Sequence, residues 1–140
     1  MKRIIYTRAD GGISIIIPSP HWKGTMDELA EKNIPEGIDY KIVDASLISS
    51  DRTFRNAWEE DNTEAPDAIK VNMTKAREIH MGRIRDVRDK KLVELDKRKY
   101  GNEFDAERQT LRDIPSTFDL TSATTADELK TLWPSELSIQ

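Results

Sequence analysis

The chain has 140 residues, 36% of them hydrophobic and 34% charged, with a formal net charge of −4 and no cysteine. That composition describes a small globular chain with a modest core, one that folds alone as a single domain or leans on a partner, so homo-oligomerisation stays open. The absence of cysteine excludes disulfides, thiol nucleophiles and cysteine-ligated metals, and fits a reducing cytosol.

The opening Met1-Lys2-Arg3-Ile4-Ile5-Tyr6 carries an apolar run too short and too soon interrupted for a signal peptide or a membrane span, which points to an unsecreted cytoplasmic product with no membrane partner. Ile4 to Thr7 and Ile13 to Ile17 are isoleucine-rich runs joined by Arg8-Ala9-Asp10-Gly11-Gly12, and the glycines predict a β-hairpin. Pro18 and Pro20 cannot donate to a ladder and end the second strand. Thr25-Met26-Asp27-Glu28 has capping-box spacing and predicts a short helix from Met26 to about Lys32. Tyr40 to Val43, beyond the Ile34-Pro35-Glu36-Gly37 break, reads as a third strand. The first 50 residues therefore read as a small β-β-α-β module, residues 51–140 as a helical region, and the whole as α+β.

Phe54, Ala57 and Trp58 stand at i, i+3 and i+4, which predicts a short docked helix over 51–59, with Glu60 to Asp67 as a polar loop. A long helix is predicted over 72–99. At about 100° per residue, Met73, Ala76, His80, Ile84, Val87, Leu92 and Leu95 share one arc, with Met81 at its edge. Asp86, Lys90, Glu94 and Arg98 recur opposite that arc as acid-to-base pairs four residues apart. Ile79, Gly82 and Val93 also project to that outer side. A mid-helix glycine costs about 1 kcal/mol relative to alanine, so either a partner approaches closely there or Gly82 is a plain surface glycine beside two stray apolar residues. Tyr100-Gly101-Asn102 is the predicted stop. A return helix follows over 103–113, halted by Ile114-Pro115, and a last helix over 126–133 is capped by Thr125 and Glu128.

Chemistry-bearing motifs are sparse. His21 and His80 are the two histidines, and no HExxH, EF-hand, P-loop or GxSxG pattern occurs, so no catalytic residue, metal ligand or cofactor is expected and the chain reads as a non-enzyme. A lone histidine on an apolar helical face, as His80 is, ordinarily serves packing. Residues 70–99 hold eleven Lys and Arg against five acids, while 1–69 and 100–140 each sum to −5. Basic side chains lie all round the long helix, and no aromatic alternates with them as a stacking platform. Protein contacts are thus favoured over nucleic acid, whose candidate contacts would be Arg83, Arg85 and Arg88.

Arg108-Gln109-Thr110-Leu111-Arg112-Asp113-Ile114-Pro115 followed by Trp133-Pro134 resembles the C-terminal signature of bacteriophage tail assembly chaperone-like proteins. Phe54 to Trp58 and Met73 to His80 also look like small proteins encoded among phage and prophage tail genes. One departure is Asp96-Lys97, where an aspartate-tryptophan pair is expected. The resemblance implies a non-catalytic accessory in the host cytoplasm that handles a tail or tail-fibre protein, or a component kept in the virion; it names no contact residues. The residues themselves nominate Ile79, Gly82, Val93 and Trp133 as partner contacts.

Overall fold

The computed structural model of the chain describes residues 1–61, 69–97 and 104–137. The fold is α+β, and it divides into two compact units, Met1–Asn72 and Met73–Gln140.

In the first unit the expected β-β-α-β order is present as β1 (Lys2–Thr7), β2 (Ile13–Ile16), α1 (Met26–Asn33) and β3 (Lys41–Asp44). The three strands form an antiparallel sheet in the order β2-β1-β3, with Ile4 facing Ile16 on one side and Ile42 on the other. Alternation along β1 sends consecutive isoleucines to opposite faces. Ile4 packs with Leu29 and Ala30 of α1 and with Ile34, whereas Ile5 packs with Ile13, Val43 and Trp58. Both isoleucines are fully buried, each contributing on the order of 2 kcal/mol through burial. The hairpin loop closes with Arg8 N–H donating to the Gly12 carbonyl at 2.8 Å, and Gly11 takes φ 85°, a left-handed conformation that glycine adopts freely. Thr25 caps α1 as its spacing predicts, accepting from the Glu28 N–H at 3.1 Å.

Trp58 brings residues beyond position 50 into this core. The helix predicted over 51–59 does not form: Arg55–Ala57 makes one 3-10 turn, and β4 (Trp58–Glu60) pairs antiparallel with β5 (Ile69–Val71). Phe54, Ala57 and Trp58 are buried as the spacing implies, but the conformation is set by pairing Trp58 with Val71, a partner too distant in sequence for a local pattern to reveal. Glu60 accordingly belongs to a strand, not to the predicted loop, while positions 62–67 of that loop lie outside the described residues.

The second unit contains α2 (Met73–Lys97), α3 (Asp105–Thr117), α4 (Ala126–Thr131) and a closing 3-10 turn at Ser135–Leu137. The predicted end of the long helix and its Tyr100-Gly101-Asn102 stop lie outside the described residues. The return helix does not halt at Ile114-Pro115; it continues to Thr117. Pro115 removes the N–H that would reach the Leu111 carbonyl, but it costs only that one bond: the Phe118 N–H beyond it still donates to the Ile114 carbonyl at 2.8 Å, and the Ser116 and Thr117 hydroxyls add donors to the Asp113 carbonyl at 2.8 and 3.0 Å. The last helix ends at Thr131, two residues short of the predicted 133, because Pro134 disfavours helical backbone in the residue before it. Among the described residues no helix is long and apolar enough to cross a membrane.

Candidate functional site

The long helix has an inner arc and an outer stripe. On the inner arc Ala76, His80, Ile84 and Leu95 are buried, and Met73, Val87 and Leu92 are half-buried, against α3, α4 and the closing turn. Three polar side chains stand within this arc, and each donates to a backbone carbonyl of the segment after α3. Arg77 reaches the Leu120 and Ala123 carbonyls at 3.3 and 2.8 Å. His80 Nε2 lies 2.6 Å from the Leu132 carbonyl, which can only accept, so this nitrogen carries the proton. Lys91 Nζ donates to the Glu136 carbonyl. Carbonyls in irregular segments need donors when they are withdrawn from water, and here the basic helix supplies them.

Trp133 lies edge-on to His80, with ring centroids 5.8 Å apart, and its indole Nε1 donates to the Leu137 carbonyl at 3.4 Å. It is half-buried and Pro134 is buried, so the closing Trp-Pro pair fastens the chain onto α2. The octapeptide has a comparable place. Arg108 donates to the Leu95 carbonyl at 3.2 Å and pairs with Asp96 and Asp105 at 3.0 and 3.1 Å; Leu111 and Ile114 are buried. Asp96 of the departing Asp96-Lys97 pair is thus one of the partners of Arg108.

On the outer stripe Gly82 has open space where a Cβ would stand, and Val93 is 54% exposed. Ile79 is half-buried. Ile79 and Gly82 are neighbours within one turn, whereas Val93 follows Gly82 by eleven positions, roughly 16 Å along the axis. The three therefore line a stripe interrupted by Asp86 and Lys90 instead of forming one patch. Arg83 and Arg85 are exposed, but Arg88 is folded onto the adjacent Asp89, with Nε and Nη2 at 2.9 and 2.7 Å from one carboxylate oxygen.

Among the described residues no group of three or more His, Asp or Glu side chains is placed to hold a metal ion. His80 is 5% exposed. The arrangement of α2 suits binding: one face is consumed by the unit's own core, and the other presents a glycine-marked, partly apolar strip to solvent. The ladder of donors from Arg77, His80 and Lys91 was not anticipated. Its signal in the sequence was that helical phase places Arg77 and Lys91 within the inner arc beside His80, where the acceptors they meet come from a segment distant in sequence. No protein-family model, no curated protein and no solved structure matches the chain.

Proposed function

We propose that the protein is a non-catalytic accessory of phage tail or tail-fibre assembly that acts in the host cytoplasm by binding another protein. The observation that carries the reading is the outer stripe of α2, where a helix-weakening glycine faces open space between Ile79 and the exposed Val93. Among the described residues nothing beyond its own helix stands within 4 Å of where a Cβ would be at Gly82, and close approach of a second backbone gives the glycine a use. The likeness of the octapeptide and the Trp-Pro pair to tail assembly chaperone-like proteins supplies the phage context. The commitment of His80 Nε2 to a carbonyl in a buried setting supports packing over general-base chemistry. Binding to nucleic acid is disfavoured because Arg88, one of its three candidate contacts, is already neutralised by Asp89.

Affinity-tagged protein recovered from infected cells should bring down a tail or tail-fibre protein and be missing from purified particles. Its presence in particle digests at fixed copy number would favour a structural component instead. Gly82→Leu should abolish the co-purification while leaving the circular dichroism spectrum unchanged; co-purification that survives this substitution removes the stripe as the contact.

A further inference from the structure

Arg8, Arg52 and Arg55 of the first unit converge around one tryptophan and one carbonyl oxygen. Arg55 lies over the Trp58 ring at 4.7 Å from its centroid, and Arg52 at 5.7 Å. Arg55 Nη2 and Arg8 Nη1 both donate to the Ile13 carbonyl, at 2.7 and 3.1 Å. Trp58 is buried and Ile13 is fully buried, so the platform beneath the guanidinium groups is rigid. Among the described residues Asp10, paired with Arg8 at 3.2 Å, is the one carboxylate bound to the three. Arg52 and Arg55 are held by ring and carbonyl, which orient a guanidinium without neutralising it. Burial and the like charges of Arg52 and Arg8 pull Arg55 below the ordinary arginine value.

We infer that Arg8, Arg52 and Arg55 form a binding site for a carboxylate carried on an acidic peptide segment of a partner protein. A guanidinium fork accepts a carboxylate through two parallel charge-assisted hydrogen bonds, and two such forks fixed on one ring give the site its geometry. The surroundings select the occupant. The first unit has nine basic and thirteen acidic residues, so a phosphodiester chain crossing the site would run into like charge, whereas a short peptide carboxylate meets only the local cluster within the screening length of about 8 Å. The site is distinct from the α2 stripe and stands whether or not that stripe binds a tail protein.

The test is a titration of the isotopically labelled full chain with an end-blocked peptide that carries one glutamate among glycines, following arginine Nε–H and tryptophan indole resonances. Parallel titrations use inorganic phosphate and single-stranded oligothymidine. Saturable shifts at Arg52, Arg55 and Trp58 are expected, with affinity at least tenfold weaker in Arg52→Gln and unchanged in Lys23→Gln. Arg52 is exposed and, among the described residues, its side chain lies over the ring face without reaching a backbone group, so the variant keeps its fold. A peptide affinity equal in Arg52→Gln and the parent, or no saturable shift, overturns the site; tighter binding of phosphate or oligothymidine than of the peptide overturns its assignment to a peptide carboxylate.

Discussion

Arg108 satisfies three acceptors with one side chain: the Leu95 carbonyl near the end of α2, and the carboxylates of Asp96 and Asp105. Its side chain is 14% exposed while the two aspartates are largely in water, so the hydrogen bond to the carbonyl and the packing of the stem outweigh the ion pairs. Arg108→Met should lower unfolding stability by about 1–3 kcal/mol in urea titration, and adding salt to the parent should recover little of that loss. Three other aspartates share a different device. Asp10 and Asp44 accept the backbone N–H of Gly12 and Ser46, and Asp119 accepts the Thr121 hydroxyl and N–H; these bonds hold all three carboxyls below the ordinary aspartate value. A group depressed in the folded state contributes stability that is present above its unfolded pKa and lost as pH falls through the folded one. The midpoint of urea unfolding should therefore decline as pH drops below about 4, and Asp44→Asn or Asp119→Asn should each flatten that decline.

Among the elements, α2 separates what helix propensity does from what packing requires. Gly82→Ala places a methyl group in open space and should raise stability by roughly 0.5–1 kcal/mol, measured by thermal unfolding. If the outer stripe receives a partner, the same substitution should weaken co-purification, so that stability and binding move in opposite directions. The hairpin, α1, β3 and the inner arc were legible because each leaves a pattern within a few residues: Gly11 turns the hairpin, Thr25 caps α1, a break precedes the β-prone run of β3, and Ala76, His80 and Ile84 repeat at helical spacing. Trp58 was legible as buried but not as strand, since the choice between helix and strand rested on Val71 across a connection no local pattern spans. Pro115 misled for a related reason. Proline disfavours helix continuation, but the N–H groups beyond it still reach back, Phe118 to the Ile114 carbonyl, and hydroxyls at Ser116 and Thr117 add donors to the Asp113 carbonyl, a local competition that a stop rule does not weigh. Of the candidate contacts, the outer position of Gly82 and Val93 followed from angle alone. Arg88 did not, because its closure onto Asp89 depends on a rotamer and not on helical phase.

Charge acquires a different meaning over the whole molecule. The second unit holds thirteen basic and thirteen acidic residues and is formally neutral, so the net −4 belongs to the first unit. The basic helix is thus compensated inside its own unit, and part of its charge works as hydrogen-bond donors to carbonyls. Duplex DNA should accordingly show no mobility shift with the full chain even at about 50 mM salt, where a phosphate-reading protein binds most tightly. The donor ladder also has a schedule. Lys97 is synthesised 39 positions before Glu136, an interval on the order of 2–8 s at ordinary elongation rates. During those seconds the nascent helix carries Ala76, His80, Ile84 and Leu95 without the later segments that cover them, and Arg77 and Lys91 without their carbonyls. The segments that cover the arc are made in turn, α3 first and the closing turn last, so a ribosome that pauses between Lys97 and Trp133 prolongs the life of a helix whose inner arc is only partly covered.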